Sequence, residues 1–224
     1  MTYRVRVWDL PTRMFHWALV LCVIALVITG QMGGAAMNWH FRLGYVVLTL
    51  LLFRLGWGLI GGHWSRFSSF LYAPSILLRY LRGQGGPELS TGHNPLGAGS
   101  VFALLFFLLA QVATGLISDD EIATSGPLTS LVSNAWVSQA TWYHRDVGKL
   151  VLIVLVILHV AAILFYLWRK HVNLVRPMLL GDKEVEQPLP SSRDDARARL
   201  LAAALVALCA GLVGLLLKLA PGGY

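Results

Sequence analysis

The chain has 224 residues, of which 56% are hydrophobic and only 13% are charged, whereas a typical soluble domain carries about 25% charged residues. A mean hydropathy of +0.64 excludes intrinsic disorder and indicates a solvent other than water, and two isolated cysteines in apolar runs, Cys22 and Cys209, exclude a disulfide framework. In a chain this apolar, the net charge of +7 indicates the cation asymmetry of a membrane protein, so no nucleic-acid partner is expected.

Five segments are long and apolar enough to cross a bilayer, which needs roughly 20 residues per helix. The first is too long for the apolar part of a signal peptide, about 7–15 residues, and lacks a small-residue cleavage site, so we expect it to be retained. The sequence therefore predicts an all-α integral membrane fold with helices at about 15–32, 42–60, 99–118, 146–168 and 200–219.

Two further segments define the predicted domain organisation. Residues 61–98 mix aromatic, aliphatic and cationic side chains, which is typical of an interfacial segment or of an amphipathic helix packed on the protein. Residues 181–199 are polar and predict a cytoplasmic linker. We therefore expect a four-helix domain over 1–180, this linker, and an extra C-terminal transmembrane helix within 200–224 whose alanines and glycines favour close packing.

The cations predict the orientation of the chain. With a cytoplasmic N-terminus, thirteen of the eighteen Lys and Arg residues lie on the inner side, as the positive-inside rule requires. The outer side then carries the acidic run Asp119, Asp120 and Glu121.

Four histidines at the ends or inside of the predicted spans suggest a redox cofactor. A lone buried histidine such as His159 is more often structural, but His144 lies fifteen residues earlier, which is about 22 Å along the same helix and about 60° around it. His16 opens the first helix level with His159, and His40 opens the second level with His144. Two stacked bis-imidazole sites are what a helical protein binding two haems b needs, and the lack of C-x-x-C-H excludes covalent c-type haem.

Glycine and arginine positions fit this interpretation. Gly44 and Gly148 each follow a candidate ligand by four residues, which would open room for a porphyrin, although helix contacts use glycine equally often. Arg54 lies fourteen residues after His40, about 21 Å deeper and about 40° around the helix, so it should approach the inner haem propionates or else snorkel to the interface. Arg42 and Arg145, each within two residues of a candidate ligand, could pair with propionates of the outer haem or snorkel to the interface, and Arg13 and Lys149 are weaker candidates of the same kind.

The other three histidines lie outside the spans, and we interpret them as surface or turn residues. None has a partner at a metal-binding spacing. They are His63, His93 and His171. Of these, His93 in GHNPLG is the one position where a quinone head group or a proton exit could lie.

The same motifs resemble the prokaryotic cytochrome b561 family, which includes b-type subunits of nickel–iron hydrogenases. They are VWDLPTRMFHW, WHFRLGY, GHNPLG, YHRDVG and LHVAAILFY, in this order through about residue 180. The resemblance implies that His16 and His159 ligate an inner haem and that His40 and His144 ligate an outer one. It also implies electron transfer at the bacterial inner membrane, commonly with the quinone pool. The fifth helix departs from the family's four-helix pattern.

We therefore expect a di-haem electron carrier between the quinone pool and a redox partner. No nucleophile–base pair, flavin fingerprint or phosphate-binding loop is present, so no catalytic residue is assigned and a relay is favoured over a complete enzyme. A partner subunit or soluble cytochrome would dock on the periplasmic face, near residues 119–142. The alternatives are a self-sufficient quinone-coupled oxidoreductase, such as a superoxide oxidase, and a haem-free membrane anchor or transporter.

Overall fold

A computed structural model describes residues 1–84, 86, 89, 91–120 and 124–221. The predicted all-α membrane fold is confirmed, since five stretches are helical, long and apolar enough to cross a membrane. The long helices are α1 (Leu10–Met32), α2 (Met37–Ile60), α4 (Pro95–Leu116), α6 (Lys149–Arg169) and α8 (Ala196–Leu219). The short helices are α3 (Pro74–Leu81), α5 (Asn134–Trp142) and α7 (Val175–Leu180).

Helix α1 begins five residues before the predicted span because its first turn is polar and capped. The backbone N–H of Thr12 donates a hydrogen bond to Asp9 Oδ1 at 2.8 Å, which satisfies one of the free donors at a helix start. Apolar length alone does not detect such a turn, so the predicted start of the helix, at about residue 15, is too late.

The fourth span is longer than predicted and is interrupted by a π-helix. Helices α5 and α6 are joined through Tyr143–Gly148, which has π-helical geometry, so the stretch Asn134–Arg169 is helical throughout. The outer segment 119–142, expected as a loop, therefore contains α5. Glu121, which belongs to the acidic run of that segment, lies outside the described residues.

The stretch 181–199, expected as a polar linker, is built into folded structure. Strand β1 (Tyr3–Arg6) pairs antiparallel with β2 (Asp182–Val185), with Arg6 opposite Asp182. The backbone N–H of Ser192 donates to the Arg6 carbonyl at 2.7 Å, and the Arg6 guanidinium binds Asp194 at 2.6 Å. Backbone hydrogen bonds and ion pairs thus hold the N-terminus and the segment after α7 together.

The chain divides into two compact units, and each long helix contributes one segment to each. Unit 1 comprises residues 1–16, 54–103 and 157–205, and unit 2 comprises residues 17–53, 104–156 and 206–224. Unit 1 contains the strand pair and an apolar cluster formed by Val5, Val7, Trp8 and Trp64.

The segment 61–98 contains short turns and the amphipathic helix α3. None of the residues of α3 is buried, and its Leu78 is 54% exposed. An apolar face left open beside the membrane-spanning helices favours the interfacial interpretation of this segment.

Helix α8 approaches helix α2 closely at Gly56, a glycine of α2. A Cβ added to Gly56 of α2 would lie 3.1 Å from Leu205 of α8, whereas a Cβ on Gly211 or Gly214 would meet no atom of the described chain within 4 Å. The close approach expected for α8 therefore comes from Gly56, and the glycines of α8 itself face open space.

Candidate cofactor site

The first histidine pair lies in unit 1. His16 in the second turn of α1 and His159 in the middle of α6 place their imidazole rings 6.5 Å apart between centroids, with an interplanar angle of 47°. A metal between two imidazoles, with bonds of about 2 Å and a further 1 Å or so to each ring centre, places the centroids about 6 Å apart. The separation therefore fits one metal ion between the two rings.

The second pair lies in unit 2 and repeats this geometry. His40 in the first turn of α2 and His144 in the π-helical segment have ring centroids 6.1 Å apart at 83°. Both pairs proposed from the sequence are brought together, each from two different helices.

The rings of the second pair are oriented by hydrogen bonds at Nδ1. His40 Nδ1 lies 3.0 Å from the Leu26 carbonyl, and His144 Nδ1 lies 2.8 Å from the Gln111 carbonyl. Because a carbonyl only accepts, Nδ1 carries the proton and Nε2 keeps its lone pair. Such a second contact fixes the tautomer and orientation that a metal-binding histidine needs.

Two glycines that the sequence analysis did not single out let these rings lie against helix backbone. A Cβ on Gly115 of α4 would lie 2.8 Å from His144 Cε1, and a Cβ on Gly30 of α1 would lie 3.1 Å from His40 Cε1. Each glycine follows a threonine whose hydroxyl donates to the carbonyl four residues earlier, at 2.7 Å. The repeated Thr-Gly pair near the end of two spans was the available sequence signal.

The two glycines predicted to clear space for a porphyrin have different surroundings. A Cβ on Gly44 would meet no atom of the described chain within 4 Å, which leaves that face of α2 open. Beside Gly148, by contrast, the space is filled by the Gln111 amide and the Tyr143 ring. Gly148 therefore serves the packing of Gln111, whose Nε2 donates to the His144 carbonyl at 2.8 Å.

Arg54 is buried in unit 1, with 3% of its surface exposed, and has protein partners of its own. Its Nη1 donates to the Ser65 carbonyl at 3.0 Å, and its guanidinium lies 4.6 Å from the centre of the Phe67 ring. The Asp9 carboxylate acts on it electrostatically. A buried cation requires such compensation, and these protein partners supply it in addition to the haem propionates or the interface expected from the sequence.

Asp9 is a buried hub that the sequence analysis missed. It is fully inaccessible and accepts hydrogen bonds from the Thr12 N–H at 2.8 Å, the Ser65 hydroxyl at 2.7 Å, the Gly62 N–H at 3.2 Å and the Trp57 indole at 3.2 Å. Four donors and a nearby guanidinium satisfy the carboxylate, so the start of α1 is fixed to the end of α2.

The other cationic candidates also interact with the protein. Arg13 donates to the Leu179 carbonyl at 2.6 Å, Arg42 lies 5.4 Å from the centre of the Trp39 ring, and the exposed Arg145 lies 3.8 Å from Asp146. Lys149 acts electrostatically on His144. None of these contacts needs a cofactor.

The extramembrane histidines differ sharply from one another. His171 is exposed with a φ of 55°, and partial burial followed by the charge of Arg66 lowers the pKa of His63. The His93 ring lies 4.6 Å from the Trp8 ring and 4.4 Å from the Phe70 ring, centroid to centroid. Burial, then the charge of Arg54, lowers the pKa of His93 to about 3, so its imidazole is neutral at physiological pH. His93 is therefore not the surface residue expected from the sequence.

Comparison with known proteins matches residues 7–181 to the family model of prokaryotic cytochrome b561. The chain belongs to this family. It is accordingly a multi-pass membrane b-type cytochrome, and haem b is its cofactor. The matched range includes all four histidines of the two pairs and ends before α8.

Curated relatives of this cytochrome are hydrogenase subunits by name. A probable Ni/Fe-hydrogenase B-type cytochrome subunit from Bradyrhizobium diazoefficiens is 26% identical over 216 residues, covering 80% of this chain and 86% of the relative. One from Cupriavidus necator is 29% identical over 192 residues, covering 70% and 77%. No solved structure matches the chain significantly.

The residues of the cytochrome fit a haem better than a bare metal ion. Within the described part of the chain, no cluster of three or more His, Cys, Asp or Glu side chains could hold a metal. Two facing imidazoles would supply only two donors to an iron, and the porphyrin of a haem would supply the others.

Proposed function

We propose that this cytochrome binds two haems b and carries electrons between a redox partner and the quinone pool across the bacterial inner membrane. The observation that supports this most is the presence of two separate imidazole pairs, whose ring centroids lie 6.5 Å and 6.1 Å apart. A single haem would account for only one of these pairs and would leave the second pair of half-buried, facing imidazoles unexplained.

Each pair has a stated role in this proposal. His16 and His159 ligate the inner haem, and His40 and His144 ligate the outer one. Arg54 stabilises a propionate of the inner haem, while Asp9 holds Ser65, whose carbonyl accepts a hydrogen bond from that guanidinium. Gly44 leaves room for the porphyrin edge.

Haem supplies the reversible one-electron chemistry, and the chain supplies axial ligands, a low dielectric and compensating charge. The carbonyls of Leu26 and Gln111 hold the outer imidazoles in the tautomer that presents Nε2. Helix α8, outside the family match, shields part of α2 through Leu205 and Gly56.

The proposed orientation has the N-terminus in the cytoplasm. The rule for orientation counts cations and not net charge, so the ion pairs of Arg4 and Arg6 with Asp182 do not weaken it. The redox partner then docks on the periplasmic face. The names of the relatives, which are those of subunits, support a partner subunit over a complete enzyme.

Selective loss of haem tests the ligand assignment. His159→Ala should lose the inner haem and leave the outer haem spectrally intact, because only one axial pair is broken, and His144→Ala should do the reverse. Reduced-minus-oxidised spectra and a redox titration of the purified variants measure this. The matched control is His171→Ala, which should retain both haems. Retention of both haems in either ligand variant would refute the assignment.

A further inference from the structure

The His93 side chain has a buried nitrogen that the protein does not satisfy. Its Nδ1 is closed to solvent and has no hydrogen-bond partner among the described residues. A buried polar atom without a partner is destabilising, and such atoms in native proteins call for an explanation. The partner of His93 is therefore expected outside the chain.

Aromatic side chains and backbone hydrogen bonds restrict the position of the ring. It packs against the rings of both Trp8 and Phe70, and the Tyr72 hydroxyl donates to the His93 carbonyl at 2.8 Å. The next residue, Asn94, accepts from the Gly97 N–H at 2.7 Å and donates to the Tyr166 hydroxyl at 2.8 Å. Both sides of the peptide are thus anchored.

The charges around His93 define the chemistry of the missing partner. The titratable groups that act on this imidazole are Arg54, His159 and His16: a cation and the two imidazoles of the unit 1 pair. No carboxylate of the described chain lies within hydrogen-bond distance of His93 Nδ1. A site with a guanidinium and a neutral imidazole favours an anionic oxygen ligand.

We propose that His93 donates a hydrogen bond to a propionate carboxylate of the haem held between His16 and His159, and shares that propionate with Arg54. This inference rests on the proposed inner haem and adds a binding residue from the loop before α4. The hydrogen bond would reduce the negative charge that the propionate places near the haem. The reduced form of the haem would therefore be stabilised relative to the oxidised form.

The test compares two substitutions in the full-length, haem-loaded protein. His93→Leu removes the donor, whereas His93→Asn keeps an N–H close to the position of Nδ1. Without the donor, the redox equilibrium of the inner haem should shift about threefold toward the oxidised form, and the outer haem should not change. Redox-difference infrared spectra should show the propionate carboxylate band moving in His93→Leu and largely restored in His93→Asn.

The matched control is His171→Asn, at an exposed histidine whose left-handed backbone suits asparagine; it should change neither signal. Unchanged potential and carboxylate bands in His93→Leu would overturn the inference. A change in quinone reduction with both haem signals unchanged would also overturn it, since the acceptor would then be a quinone. If His93→Leu does not fold, His93→Phe takes its place, because it keeps an aromatic ring against Trp8 and Phe70 and removes the donor; an unmoved carboxylate band in that variant would overturn the inference. Absence of an inner haem from the unmodified protein would instead refute the proposed function.

Discussion

Gly115→Ala should displace the outer haem ligand without breaking any bond of its own. The added Cβ would lie 2.8 Å from His144 Cε1 and 3.1 Å from Nδ1, whereas ordinary carbon contacts begin at about 3.5 Å. The ring must therefore move by about 0.7 Å. The Gln111 carbonyl, 2.8 Å from Nδ1, limits the directions in which it can move.

This displacement is large compared with the tolerance of a metal–ligand bond, which is about 0.2 Å. Overpacking of this kind costs about 1–3 kcal/mol, or roughly a 5- to 150-fold loss of outer-haem affinity, since 1.4 kcal/mol is a factor of ten. Alanine favours a helix over glycine by up to about 1 kcal/mol. A loss of haem would therefore not come from a weaker helix α4.

Haem titration of the purified variant, followed in the Soret band, measures the affinity. Gly99→Ala, on the same helix and with no atom of the described chain within 4 Å, is the matched control. Gly30→Ala should give a smaller loss, because its Cβ would lie 3.1 Å from His40. Equal outer-haem affinity in Gly115→Ala and Gly99→Ala would refute the role assigned to this packing.

Three further results are expected. Gly44→Ala should weaken outer-haem binding by about tenfold if a porphyrin fills the open space there, whereas Gly211→Ala, equally open, should not; equal haem affinities would remove Gly44 from the site. Asp9→Ala should lower the free energy of unfolding by about 3 kcal/mol, because a helix cap is lost and buried donors are orphaned; an unchanged thermal midpoint in detergent would contradict this. Although burial opposes it, hydrogen bonds from Arg199 and Leu10 hold the pKa of Asp194 below its ordinary value, so its stabilisation is present above about pH 4 and is lost as the pH falls further. Thermal unfolding between pH 7 and pH 3 should show this acid-dependent loss, and Asp194→Asn should reduce it; an equal loss in that variant would assign it to another group.

The membrane-spanning helices were predictable because apolar length is a local property. Each predicted span has a helix, and errors are confined to ends and interruptions. The start of α1 depends on a cap at Asp9, and the geometry at His144 depends on a π-helical segment, neither of which changes hydrophobicity. The β1–β2 pairing joins residues about 180 positions apart, and four-residue polar strands carry little periodic signal.

The histidine pairs were predictable because imidazoles inside or at the ends of apolar helices are rare and helix geometry fixes their depth. The supporting residues were not. Gly30 and Gly115 matter only through rings from other helices, and Asp9 matters through donors from Trp57, Gly62 and Ser65. His93 lies outside the spans in sequence, and only the folding of its loop brings it within electrostatic reach of Arg54.

The haem content of the purified chain distinguishes two cofactor sites from one. We expect two haems b per polypeptide by the pyridine haemochrome assay, with two resolved midpoint potentials, since each imidazole pair would hold one iron. One haem per chain would contradict the two-site account. Absence of haem would contradict the assignment as a cytochrome.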